Sequence, residues 1–262
     1  MKTIRLWPLV LVFGVLLCGQ TTRNQGVDRD SGHFSDSGVQ LRKAETALQA
    51  GQYDSARAYA RSAAAFAEKN GRWYEWGRAQ NCWLEAAYYL GKFSETAAEL
   101  PRLEKIARLR LHPDSTFWEY YYNLAGAISS EMGNYEESLR FSRAEIAFLE
   151  KNGNPESLAI ACNNAGTYYR NRGDYDRALE YTQAALQIYQ TSQSPADLAW
   201  TYGNLGKIWY RKKDFPQAIA FAEKALSLLN QYFPGKNPED FVSVYNDLAN
   251  ACTETGDYKK AL

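Results

Sequence analysis

Apolar and small residues recur along most of this chain at helical intervals, and one short turn punctuates them. Residues 159–169 place such side chains at the spacing of an amphipathic helix, and Gly173 ends the run. Only a residue comfortable at positive φ fits a turn that sharp. Asp174 then N-caps a second helix, in which Ala178, Leu179, Ala185 and Leu186 form an inward stripe. The unit is therefore helix, turn, helix. It recurs as Gly51-Gln52-Tyr53, Gly91-Lys92-Phe93, Gly133-Asn134-Tyr135, Gly173-Asp174-Tyr175, Lys213-Asp214-Phe215 and Gly256-Asp257-Tyr258, with spacings of 40, 42, 40, 40 and 43 residues. A period of this size predicts a solenoid of units too small to bury their own apolar faces, which therefore stack on one another.

Small residues mark where the two helices of a unit cross. Gly126, Gly166, Gly206 and Ala249 stand seven residues before the turn, and Ala56, Ala178, Ala218 and Ala261 five after it. Small side chains there let two helices approach closely. The turn aromatic fills the wedge between units. Repeats one and two depart from this, with Lys43-Ala44 and Trp83-Leu84 at the crossing. Asn154-Pro155, Ser194-Pro195 and Asn237-Pro238 predict helix starts with an N-cap and proline at the first helical position, Asp197 and Asp240 strengthening two of them. The Trp73, Trp76, Trp83 and Trp118 group reads as packing, with an aromatic binding surface as the alternative.

This pattern resembles the tetratricopeptide repeat family, across roughly residues 38–262. The resemblance implies an all-α, right-handed superhelical solenoid in which the first helix of each repeat lines a concave surface. The repeat is nearer 40 residues than the usual 34 or so. In that respect it resembles kinesin light chains and the bacterial arrays joined to CHAT (caspase-like) protease or signalling domains. Repeats are expected at 38–70, 72–110, 115–152, 155–192, 195–232 and, incomplete, 238–262.

The N-terminus reads differently. Lys2 and Arg5 precede an apolar run at residues 9–17, shorter than a bilayer needs, so residues 1–20 are expected to be a signal peptide and the protein exported. Val15-Leu16-Leu17-Cys18 resembles a bacterial lipoprotein box, with Leu17 larger than the residue usual there. Lipidation at Cys18 and ordinary cleavage near Gly19 or Gln20 are the two readings. Membrane association is expected only through this signal or lipid anchor. Polar residues 21–37, His33 among them, predict a linker.

Thirty basic against thirty acidic residues leave no net charge to argue for nucleic acid. Cys82, Cys162 and Cys252 fall one per first helix in non-neighbouring repeats, without metal-ligand spacing, and read as buried free thiols. Gly203-Asn204-Leu205-Gly206-Lys207 lacks the spacing of a phosphate loop. No cofactor and no catalysis are expected within these residues. The chain stops one turn into the helix that Asp257 would cap, which reads as a fragment.

One polar regularity remains. Asn81, Asn123, Asn163 and Asn246 lie ten residues before the turn; Asn164, Asn204 and Asp247 lie nine before it; Asn163 with Thr167 and Asn246 with Asn250 are i,i+4 pairs. Asparagine is a mediocre helix former, so its recurrence wants a reason. By the resemblance these amides form a ladder on the concave face, and amides that both donate and accept can hold an extended peptide backbone. Lys207, Arg170 and Arg211 fall on or beside that face and would select an acidic segment or a terminal carboxylate. The competing reading is that individual asparagines bond to the next repeat. Peptide binding is expected to fail when Asn163 and Asn204 are both changed to alanine. The alternative function is a sensor arm whose effector, a CHAT-type protease, histidine kinase or transcription regulator, lies beyond residue 262.

Overall fold

The computed structural model describes residues 36–192, 194–232 and 242–257. The signal segment, Cys18, His33, most of the linker, Asn237-Pro238, Asp240, Tyr258 and Ala261 lie outside them. Among the described residues there are only helices: α1 (Asp36–Gln49), α2 (Tyr53–Lys69), α3 (Trp73–Tyr89), α4 (Phe93–Arg110), α5 (Phe117–Glu131), α6 (Tyr135–Asn152), α7 (Pro155–Arg172), α8 (Tyr175–Ser192), α9 (Pro195–Arg211), α10 (Phe215–Tyr232) and α11 (Val242–Thr255). Consecutive odd and even helices form hairpins, the A and B helices of five repeats, and α11 is the A helix of a sixth. Helix α1 starts two residues inside the expected linker.

The turns are built alike. The residue at the turn glycine donates its N–H three residues back and its successor donates five back, as in Gly133 N–H to Ser130 O (2.9 Å) and Asn134 N–H to Ser129 O (2.9 Å). This pairing satisfies the helix's last carbonyls and demands positive φ at its first residue. Gly133 has φ 76° and Gly173 93°, while Lys213 adopts 63° with a side chain that resists it. Asp174 and Asp214 cap the following helices through the N–H groups of Arg177 (3.3 Å) and Gln217 (3.1 Å). Asn154 caps α7 through Ser157 N–H at 3.2 Å. Ser194 does not cap α9: its hydroxyl donates instead to Asp197, at 2.5 Å.

At the crossing, an added Cβ on Gly206 would meet Ala218 O at 3.3 Å, and one on Gly166 would meet Thr182 Oγ1 at 2.2 Å and Ala178 O at 3.1 Å. In repeat two the corresponding positions are Leu84 and Thr96, both fully buried, and α3 and α4 approach less closely than the other hairpin pairs. Trp76, Trp83 and Trp118 are buried, and Trp76 and Phe117 pack ring on ring across repeats two and three.

Between repeats, A helices touch A helices directly: α1 with α3, α3 with α5, α7 with α9, and α9 with α11. B helices make no comparable approach to one another, so the A layer is the inner, crowded side of the curve. Ion pairs cross the seams at the surface, among them Lys151 with Asp114 (2.6 Å) and Arg172 with Glu136 (2.7 Å), each contributing at most about 1 kcal/mol.

Gly166→Ala is expected to cost about 1–3 kcal/mol in chemical denaturation, because the Ala178 carbonyl is backbone and cannot step aside. Lys213→Gly should instead gain up to about 1 kcal/mol by removing left-handed strain. Equal stability of all three proteins would contradict both arguments.

Candidate functional site

The A helices present the same three positions inward: six, three and two residues before the turn. In α7 these are Thr167, Arg170 and Asn171; in α9, Lys207, Tyr210 and Arg211; in α11, Asn250 is the first. Spacings of three and four put such residues on one helical face. Arg170, Asn171, Lys207, Tyr210, Arg211, Asp247 and Asn250 line one cleft of ≈ 340 Å³ across the three helices.

Three cations face one carboxylate there. Lys207 Nζ is 3.5 Å from Asp247 Oδ2, an ion pair too long to count as a good hydrogen bond. Burial pushes the Asp247 carboxyl up, against the opposing pull of Lys207 and Arg170. Burial likewise lowers the Arg170 guanidinium, with Asp247 opposing and Arg211 reinforcing that shift. Arg170 spends one nitrogen on Asn171 Oδ1 (3.2 Å), while its buried Nη1 has no partner. Thr167 Oγ1 on the same face of α7 and Asn204 Nδ2 on α9 are also buried without partners. Buried polar atoms left unmatched cost about 1–3 kcal/mol each; Asp247 Oδ2 in the cleft is unmatched too, so the site leaves both a donor and an acceptor open.

The expected asparagine ladder divides. Asn163 is fully enclosed, and its amide donates to Thr201 Oγ1 at 2.7 Å, which donates in turn to Asp197 O at 2.7 Å. It fastens α7 to α9 and offers no surface, a correction to its placement in the groove. Asn81 points its amide at Phe117 O of the next repeat (3.5 Å), and Asn123 gives its own to Glu145 Oε1 (3.0 Å). Asn164 and Asn204 are 5% exposed, and Asn246 is exposed on α11 outside the cleft lining. Of the residues expected to bind, Arg170, Lys207, Arg211 and Asn250 come together. Asn171 and Tyr210 were missed, although each stands where Arg211 and Arg170 stand in the neighbouring repeat.

Glu145 was missed too. It lies twelve residues after its turn, where other repeats carry Ala63, Leu103, Ala185 and Ala225. Burial pushes its carboxyl up to about 8, against the Asn123 amide and with help from Glu119. Glu85 on α3, with Oε1 buried and unpartnered, is pushed to about 7 by burial alone. Cys82, Cys162 and Cys252 are buried and stand outside any disulfide, and burial raises Cys162 to about 11. A second recess, of ≈ 470 Å³, lies along α2, but Arg57 is already paired with Glu95, and both Arg57 and Arg61 lie over the Trp83 ring. Its cations are less available than those of the α7/α9/α11 cleft. Among the described residues no group of three or more His, Cys, Asp and Glu could hold a metal ion, and no helix is long and apolar enough to cross a membrane.

Stacked helical hairpins with an inner A layer define an α-solenoid. The tetratricopeptide repeat family model matches residues 119–191 and again 156–231, so the hairpins from α5 to α10 are tetratricopeptide repeats. BtubC from P. vanneervenii superposes with a TM-score of 0.61 at 19% identity, over 88% of this chain and 87% of that one. A putative kinesin light chain from Podosopora anserina, built of nearly identical TPR-like repeats, gives 0.64 at 16% over 78% and 100%. A signal transduction ATPase with numerous domains and a tetratricopeptide repeat sensor, from Pyrococcus horikoshii, gives 0.66 at 18%, over 86% of this chain and 40% of that one. At these identities the likeness is one of fold. No curated protein sequence matches the chain.

A carboxyl raised on folding holds a proton that the unfolded chain has released, so the Glu145 contribution falls as pH climbs from about 4.5 to about 8. Glu145→Gln should flatten the stability profile across that window and stabilise the protein at pH 8 by on the order of 2–3 kcal/mol. Thermal melts at pH 5 and pH 8 measure it; parallel shifts of both proteins would refute the assignment.

Proposed function

We propose that the array is a non-enzymatic scaffold whose inner face binds a peptide or protein segment, with the cleft between α7, α9 and α11 anchoring an acidic side chain or a terminal carboxylate. The observation that carries this is the buried, unpartnered Nη1 of half-buried Arg170 beside Lys207 and Arg211. A carboxylate placed there completes a charge-assisted pair that Asp247, held 3.5 Å from Lys207, leaves unfinished. Asn204, Asn164 and Asn250 supply amides to the adjoining main chain. The segment at residues 1–20 supports an exported or envelope-tethered protein, with lipidation at Cys18 as one means of tethering; the N-terminus of the mature protein tests both.

A second reading is favoured by the likeness to a tetratricopeptide sensor within a larger ATPase. Here the array is the regulatory arm of a protein whose effector domain, of CHAT-protease, kinase or transcription-regulator type, follows residue 262. Sequencing the gene past codon 262 decides between an effector domain and a stop.

Arg170→Ala with Lys207→Ala should weaken an acidic peptide by about tenfold to a hundredfold while leaving the helical signal unchanged. Asn163→Ala should instead lower the melting temperature, since it breaks the α7–α9 bond. Isothermal titration of the double variant and a thermal melt of Asn163→Ala measure these, and unchanged affinity in the double variant refutes the anchor.

A further inference from the structure

From α3 to α9 the charges at the inward positions change sign. The three inward positions carry Glu85, Tyr88 and Tyr89 in α3 and Ala127, Ser130 and Glu131 in α5, against Arg170 in α7 and Lys207 with Arg211 in α9. Glu131 is exposed and Glu85 is 8% exposed with its carboxyl raised by burial; neither carries an ion pair with a base among the described residues, whereas Glu45, at the same position in α1, is taken by Arg78. Tyr88 and Tyr168 are buried, and after burial the Glu131 charge is among the causes that raise their hydroxyls. Tyrosine hydroxyls and carboxylates accept from ammonium and guanidinium groups, and tyrosine rings also attract them. Helices α7 and α9 offer donors instead, while α11 carries Glu254 at its third inward position.

We propose that the segment bound by this groove is bipolar, with a lysine- or arginine-bearing end against α3 and α5 and an acidic end in the α7/α9/α11 cleft. The inference rests on the groove reading above and adds the order of charge along the ligand. Neighbouring A helices lie about 8–10 Å apart, so α3 to α9 spans roughly 25–30 Å. An extended chain covers that in about eight or nine residues. The Coulomb field of the array then sets which way round the segment lies, because the reversed ligand meets like charge at both ends.

Three nine-residue peptides test this by fluorescence anisotropy at low and at physiological ionic strength. One carries lysines at one end and glutamates at the other; the second has the same composition in alternating order; the third is acidic throughout. The bipolar peptide should bind about tenfold more tightly than its alternating isomer, a difference of about 1.4 kcal/mol. A nitroxide on its lysine end should broaden the amides of α3 and α5 rather than those of α9. Glu131→Lys with Glu85→Gln should weaken the bipolar peptide and strengthen the acidic one. Equal binding of bipolar and acidic peptides, both lost in Arg170→Ala with Lys207→Ala, overturns the bipolar ligand and leaves the anionic anchor standing. Failure of every peptide, or self-association of the chain in place of binding, overturns both.

Discussion

The close crossing of helix A over helix B at Gly166 and Gly206 is the contact on which the rest of the molecule depends. With the backbone of α8 or α10 that near, the side chains on either side interdigitate and a B helix buries one stripe completely. The crossing also fixes the hairpin as a wedge, and wedges stacked with their A helices touching must curve. Every inward-facing position follows from that curvature. Repeat two shows the converse: Leu84 stands in the glycine's place and α4 moves off from α3.

Buried polar groups divide the inner layer into fasteners and receivers. The Asn163–Thr201–Asp197 chain spends the Asn163 amide N–H and binds α7 to α9, although Asn163 Oδ1 stays unmatched, and Asn123 with Glu145 ties α5 to α6. Arg170, Thr167 and Asn204 keep donors or acceptors unspent. Satisfied groups specify the stack, and unsatisfied ones leave enthalpy available for a ligand. Both kinds are inside, and only hydrogen-bond partners tell them apart.

That distinction explains what was legible in the chain and what was not. Helices, turns and the Gly-to-Ala crossing follow from local rules of periodicity and positive φ, which a linear sequence displays in full. Asp174 and Asn154 cap as their residue types predict. Ser194 does not, because Asp197 three residues on competes for its hydroxyl. The asparagine column was visible, but whether Asn163 meets solvent or Thr201 depends on the rotation of α7 against α9, a tertiary quantity with no local signature. The Arg170, Lys207 and Arg211 cluster was legible through the repeat register, and Tyr210 and Asn171 follow once that register is applied to every repeat. Glu145 was hidden because one carboxylate in an alanine column looks like a surface residue until the column is aligned.

Tyr168 carries a mechanical consequence. Its ring comes within 3.4 Å of where a side chain on Gly126 would begin, and it is the bulkiest residue at its place in the A helices. Helices α5 and α7 accordingly lack the direct approach that joins the other neighbouring A helices described, and repeats three and four meet mainly through α6 against α7. Tyr168 thus acts as a spacer between α5 and α7, at the place where Glu131 on one inner face gives way to Arg170 on the next, so the two charged regions meet across an aromatic ring rather than backbone against backbone.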